Sequence, residues 1–162
     1  DGKVTFPNNT GNILQVKQVV KLDSFSTTST TAVDVTGLSV SITPSSSSNK
    51  ILVMCSMALG FDDANFTYGI LKRGNTQIGE ADPGSNRPRP TFMAYDSNEG
   101  VVTMASFTFL DSPNTTSATT YKLQVQAASS GTATVGRSFR ELDTTQFDPR
   151  CSSTITLMEV AA

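Results

Sequence analysis

One stretch constrains the fold of this chain more than any other, the apolar run KILVMCSMALGF at residues 50–61. It is the longest apolar segment, and it contains no proline and no internal charge. In a β-strand, successive side chains point to opposite faces, and here both the odd and the even positions are largely apolar. This pattern predicts a central strand buried between two layers. A buried helical turn is the alternative, but the serines at 45–48 and Gly60 leave little room for one.

Length and composition narrow the class of protein. The 162 residues suffice for one domain whose hydrophobic core is large enough to be stable without a bound metal or a disulfide. Only 16% of residues are charged and the formal net charge is −2, so the clustered basic surface that nucleic acid requires is absent and no nucleic-acid partner is expected. The longest apolar run is about half of the ~20 residues needed to span a bilayer. We therefore expect no membrane insertion.

Alternating short segments, separated by turn residues every eight to twelve positions, fill the rest of the chain. Leu38, Val40 and Ile42, for example, alternate with hydroxyl side chains until Pro44. Segments rich in Thr and Val favour strands, and no helical period of useful length occurs. The pattern predicts an all-β fold, an antiparallel β-sandwich or jelly roll of about eight to ten strands. Residues 1–11 are expected to be a connector, and 12–162 a single domain.

Local signals predict several connections. Gly37 is expected to separate two strands, and Gly74-Asn75 to form a hairpin turn. Residues 81–90, with three of the seven prolines, are expected to form a loop. Residues 131–136 are expected to pair back on the strand at 119–127.

Histidine and tryptophan are absent. Without histidine, most hydrolase triads, most zinc sites and the usual general base near neutral pH are unavailable. We therefore expect no cofactor and no enzymatic activity. The two cysteines, Cys55 and Cys151, could form a disulfide if their strands are neighbours, but reduced cysteines, with Cys55 as a small core residue, are favoured.

Three oxygen-bearing side chains, Asp62, Asp63 and Asn65, could contribute to a Ca²⁺ site. Ca²⁺ needs six or more oxygen ligands, and the run lacks the spacing of a known loop. A solvated turn is favoured, and no metal site is predicted.

Candidate ligand-binding residues lie in and near the proline-rich loop. Arg87 and Arg89 could bind carboxylates or phosphates of a cell-surface glycan. Tyr68 and Tyr95 could stack on sugar rings, although both fit strand patterns and could instead pack in a core or interface. A glycosidase would need two carboxylates at a defined separation, and the sequence does not show which of the candidates meet: Glu80, Asp82, Glu99, Glu141 and Asp143.

Residues 138–150 mix aromatic and charged side chains, a composition suited to subunit contacts. Phe139, Arg140, Glu141 and Phe147 are the candidate interface residues. A long surface loop packed by its own side chains explains the same composition. Because Thr-rich strands with few charges protect sheet edges poorly, assembly into a symmetric oligomer is the default expectation.

The run at residues 11–60, followed by LKRGNTQIGEAD at 71–82, resembles a domain near the C-terminal end of tail fibres and other virion appendages of marine and cyanobacterial tailed bacteriophages. The opening DGKVTFPN is similar to the joint between a repetitive shaft and that head. The resemblance implies a β-sandwich head that forms a homotrimer on the particle surface and carries no catalytic motif.

This resemblance implies adhesion as the function, with a host cell-surface glycan or protein as the partner of the fibre head. A capsid decoration or neck-fibre module that binds another virion protein is the main alternative. A carbohydrate depolymerase is a third.

Overall fold

The computed structural model describes residues 11–62, 65–96 and 98–162. The predicted connector at residues 1–11 lies outside this range except for Gly11, whose N–H donates to the carbonyl of Ala161. The described chain contains eleven strands and no helix: β1 (Ile13–Lys21), β2 (Phe25–Thr27), β3 (Val33–Ile42), β4 (Lys50–Phe61), β5 (Asn65–Arg73), β6 (Thr76–Gln77), β7 (Phe92–Asp96), β8 (Thr103–Asp111), β9 (Thr119–Ala127), β10 (Ala133–Val135) and β11 (Ser153–Val160).

Eight of these strands form two antiparallel sheets. The first sheet has the order β1-β11-β4-β8, since β11 and β8 both pair with residues 51–56 of β4 and so occupy its opposite edges. The second sheet has the order β3-β9-β5-β7. The short strands β10 and β2 extend the first sheet, and β6 extends the second. This strand order is that of a jelly roll, so the predicted fold class is confirmed.

The core lies between the inner faces of the two sheets, as expected of aligned sandwiches. β9 contributes Tyr121, Leu123 and Val125, all fully buried, while its alternate residues point outward. β11 contributes Ile155 and Leu157, which are both fully buried. The described residues include no helix long and apolar enough to cross a membrane.

The organising strand β4 has the bounds that the sequence predicts, but only one of its faces is fully covered. Ile51, Val53 and Met57 are completely buried in the core. On the opposite face, Leu52 is half-buried and the Met54 side chain is 42% exposed. The prediction of burial between two layers was wrong, because a two-sheet sandwich covers only the inner face of each sheet.

Two further predictions were wrong. Gly37 does not separate two strands; it takes a φ of +86° inside β3, where the pairing with β9 is irregular between Asp34 and Ser39. Such a backbone angle suits glycine and accommodates a bulge without ending the strand. The segment at 131–136 does not pair with β9. Its strand β10 crosses to the other sheet and pairs with β4 and β2, since alternate strands of a jelly roll switch sheets.

The predicted hairpin and loop are confirmed. Gly74 has a φ of +57°, and Arg73 pairs with Thr76 across the turn. Residues 81–90 contain no strand.

Cys55 and Cys151 are free. β4 and β11 are neighbours, but Cys55 lies opposite Ile155 in their ladder and Cys151 precedes β11. Burial raises the pKa of the Cys55 thiol to about 12, so this thiol is unreactive at neutral pH.

Candidate functional site

A groove of about 180 Å³ lies on the outer face of the second sheet. We call it the tyrosine groove, because Tyr68 of β5 forms part of its wall. It is lined by Ala32, Tyr68, Ile70, Gln77, Pro88, Arg89, Pro90 and Gln126. Tyr68 and Gln126 are direct partners in the β5–β9 ladder, so their side chains are neighbours on this face.

The loop that closes the groove is held to the sheet at its C-terminal end. The Gln77 side-chain amide donates to the carbonyl of Arg89 at 2.7 Å. The Thr91 N–H donates to the carbonyl of Gly69 at 3.0 Å, and the Thr91 hydroxyl accepts from the Leu71 N–H at 3.0 Å. The same hydroxyl donates to the carbonyl of Ile78 at 3.2 Å. These bonds place Pro88, Arg89 and Pro90 against β5 despite the length of the loop.

Arg89 is held in the groove wall by interactions that an incoming anion can replace. Its guanidinium lies 3.4 Å from the Glu80 carboxylate and donates to the Ala81 carbonyl at 3.2 Å. Both side chains of the ion pair are 36% exposed, and surface pairs of this kind contribute little to stability. A ligand carboxylate could take the place of Glu80 through charge-assisted hydrogen bonds.

Exposed aromatic rings continue from the groove along the same face. Phe66 lies two residues before Tyr68 on β5, with ring centroids 6.4 Å apart and nearly parallel planes. Tyr95 of β7 lies opposite Phe66, with centroids 4.9 Å apart, and is 51% exposed. Met93, 48% exposed, pairs with Tyr68. We call Phe66, Tyr68, Met93 and Tyr95 the aromatic strip.

The tyrosine groove and the aromatic strip together have the chemistry of a carbohydrate site. Aromatic faces stack on the apolar face of a sugar ring, whereas planar amides and a guanidinium bind hydroxyl and carboxylate groups. Pockets of this type combine apolar walls with a few oriented polar groups.

Three of the residues singled out in the sequence, Arg89, Tyr68 and Tyr95, lie together on this face. Arg87 does not: its side chain is exposed outside the groove, packed toward Gly84. Sequence reasoning missed Gln77, Gln126 and Phe66. The even-numbered alternation of Phe66 and Tyr68 in one strand was the available signal, because it places both rings on one face.

The segment at 138–150 is an exposed loop whose charges pair with one another. Arg140 donates to Asp148 at 2.8 Å, Arg137 lies 3.1 Å from Glu141, and Arg150 also hydrogen-bonds Glu141. Phe139 is half-buried, whereas Phe147 remains 63% exposed. The loop is therefore organised by its own side chains, and its role as a subunit interface stays a prediction.

Two of the carboxylates considered for a glycosidase, Glu80 and Glu141, are already paired with arginines. Glu80 pairs with Arg89, and Glu141 pairs with two arginines. Glu141 and Asp143 line a broad depression of about 550 Å³ together with Asp148. The hydrogen bond from Arg140 lowers the pKa of the Asp148 carboxyl, which is the reverse of what a general acid requires.

Of the three residues considered for Ca²⁺, Asp63 lies outside the described residues, as does the side chain of Asn65. Asp62 donates its backbone N–H to the Thr132 carbonyl. Among the side chains that the structure describes, no group of three or more His, Cys, Asp or Glu could hold a metal ion.

Comparison with known proteins does not assign the chain to a family. No family model matches the sequence, and no curated protein matches it. Among solved structures, the chain is similar to the VP2 subviral particle of infectious bursal disease virus, with 12% identity and a TM-score of 0.40. The match covers 91% of this chain but 37% of the VP2 chain. No conclusion about this chain is drawn from a similarity at this level.

Proposed function

We propose that this chain is a non-enzymatic adhesion domain on the surface of a bacteriophage particle, and that the tyrosine groove binds a host cell-surface glycan. The observation that carries the proposal is the meeting of Tyr68, Arg89 and two amide side chains in one groove beside the aromatic strip. The resemblance to tail-fibre heads supports the virion location.

Binding would combine stacking with ion pairing. A sugar ring would lie against Tyr68, and Arg89 would exchange its Glu80 partner for a carboxylate of an acidic sugar. Each groove is small and supplies a weak contact. Several copies of the domain on one particle would multiply that contact, because linked sites raise the effective concentration.

Substitution of either groove residue is expected to weaken binding. Tyr68→Ala removes the stacking ring, and Arg89→Ala removes the cation, so we expect about a tenfold loss of affinity for each, corresponding to roughly 1.4 kcal/mol. Binding of the purified domain to candidate host cells and to an array of neutral and acidic glycans measures this. For an acidic glycan, rising salt should weaken binding of the wild type more than of Arg89→Ala.

Arg87→Ala is the matched control, because it removes the same charge from the same loop but outside the groove. We expect its affinity to equal that of the wild type. An equal loss in Arg87→Ala and Arg89→Ala would show a general charge effect and contradict the groove as the site. Thermal unfolding of every variant shows whether the fold is retained.

A wild-type domain that binds neither cells nor glycans would count against adhesion. That result would favour the alternative from the sequence, a capsid decoration or neck-fibre module whose partner is another virion protein.

A further inference from the structure

The outer face of the first sheet carries apolar side chains that no part of the described chain covers. One row crosses all four strands in register: Val16 of β1, Met158 of β11, Leu52 of β4 and Leu110 of β8. Val16 is 52% and Leu110 53% exposed. Met54 lies at the centre of the next row, and Met104 near one edge is 49% exposed.

Three adjacent rows of this face are free of charge, and the nearest charged side chain on it is Lys50, at the start of β4, which donates to the Ser112 hydroxyl at 2.8 Å. The row through Met54 is completed by Gln18, Thr156 and Thr108, and the following row by Val20, Thr154, Ser56 and Ser106. The polar groups are partly paired within the face: Gln18 donates to the Thr156 hydroxyl at 2.8 Å, and Ser106 donates to Ser56 at 3.2 Å. No charged side chain occurs in these three rows of four, which we call the neutral face.

The outer face of the second sheet is different. There Lys122 forms an ion pair with Asp34 at 2.9 Å, and Lys72 occupies an outward position of β5. Charged residues keep an exposed sheet solvated and discourage association. On the first sheet, by contrast, the charge of Lys50 lies at the margin, and the three central rows lack this protection.

We infer that the neutral face is the contact surface between copies of this chain. A second copy fits it because a face without charge meets itself with no like-charge repulsion and no ion to desolvate. A basic or acidic partner would find no complementary charge here. Copies joined in this way expose their tyrosine grooves on the opposite side.

Met54→Lys tests the inference, because it places a charge at the centre of the neutral face. Met54 is already 42% exposed, so a monomer tolerates the lysine, whereas an interface must desolvate it. We expect the wild-type chain to sediment as an oligomer and Met54→Lys to sediment near the monomer mass of 17.2 kDa, with the dissociation constant raised about 100-fold or more. Analytical ultracentrifugation over a range of concentrations measures both.

Met93→Lys is the matched control, because Met93 is 48% exposed on the opposite sheet. It should leave the oligomer unchanged. Phe147→Lys tests the rival interface, the loop at 138–150. A monomeric wild type, or an oligomer that persists in Met54→Lys, would overturn the inference, and dissociation in Phe147→Lys alone would place the contact on that loop. The mass of the oligomer also tests the expected trimer.

Failure of this inference can be told from failure of the proposed function. Monomeric Met54→Lys should bind a soluble glycan with wild-type affinity at each groove, because the two sites lie on opposite sheets. Its binding to whole cells should fall by about 100-fold or more, since avidity is lost. An oligomer that binds no glycan would support the contact surface and contradict only the groove.

Discussion

Replacing Arg73 with Met is expected to lower the free energy of unfolding by about 3–5 kcal/mol. One guanidinium nitrogen of Arg73 lies 2.8 and 2.9 Å from the two oxygens of Asp111, and it also donates to the Ser112 carbonyl. Asp111 is 5% exposed, and its carboxylate accepts a further hydrogen bond from the fully buried Tyr121 hydroxyl at 2.6 Å. These side chains connect the two sheets, because Arg73 lies on β5 and Tyr121 on β9 of one sheet, whereas Asp111 lies on β8 of the other.

The cost arises because Arg73→Met leaves a buried carboxylate without its cation. Burial, together with the hydrogen bond to Asp111, raises the pKa of Tyr121, so the tyrosine supplies a neutral donor and no compensating charge. Urea unfolding followed by far-ultraviolet circular dichroism measures the loss.

Two comparisons isolate the buried charge. Arg73→Met combined with Asp111→Leu removes both ions and should recover much of the stability, since apolar replacement of a buried pair is often neutral. Lys122→Met breaks the ion pair with Asp34, whose side chain is 55% exposed, and should cost at most about 1 kcal/mol. An Arg73→Met variant no less stable than Lys122→Met would contradict this account.

The second large expected effect is a loss of stability at acid pH that is due to protonation of Glu159. Glu159 is 1% exposed, and its carboxylate accepts four hydrogen bonds: from Gln15, Asn49, and both the N–H and the hydroxyl of Ser45, at 2.5–2.7 Å. Burial alone would raise the pKa of this group. The hydrogen bonds from Asn49, Gln15 and Ser45 outweigh burial and lower the pKa to about 2, from an ordinary value of 4.5.

A carboxyl whose pKa is lower in the folded state stabilises the fold above its unfolded pKa. This stabilisation should therefore be complete above about pH 4.5 and be lost as the pH falls toward 2, with an upper limit of about 3 kcal/mol. Glu159→Gln should be less stable than the wild type at pH 7 by a similar amount. The difference between the two proteins should shrink toward pH 2.

Urea unfolding of both proteins at a series of pH values measures the difference in their free energies of unfolding. The contributions of other acidic groups are the same in both proteins and cancel in this difference. Glu80→Gln is the control, because Glu80 is partly exposed and has a single arginine partner. It should change stability by less than about 1 kcal/mol at every pH. A constant difference between wild type and Glu159→Gln from pH 7 to pH 2 would contradict the role of this carboxylate.

The bounds of some strands could be predicted to the residue, because the alternation of apolar and polar side chains is a property of neighbouring positions in the sequence. The bounds of β4 and β9 match the prediction. The side of each strand that faces the core follows from the same alternation. The partners of each strand do not, because sheet hydrogen bonds join backbone groups that are alike in every residue. For that reason β10 was assigned to the wrong partner.

The candidate site was predictable only in part. Arg89, Tyr68 and Tyr95 have side chains suited to glycan binding wherever they lie, so the sequence could single them out. It could equally single out Arg87, whose N–H donates to the Gly84 carbonyl at 3.2 Å and whose side chain lies outside the groove. The distinction depends on the bonds from Gln77 and Thr91 that hold the loop against β5, which connect residues distant along the chain.

By itself, the sequence determined that the chain is an all-β sandwich and which residues of each long strand are apolar, since both depend on the side chains of neighbouring positions. Only the tertiary structure decided which apolar faces are covered. β4 has two apolar faces, but a two-layer sandwich buries one, and the structure leaves Leu52 and Met54 on the other. Likewise, the meeting of Tyr68 with Arg89 follows from strand pairing and loop closure, which are contacts between segments far apart in the chain.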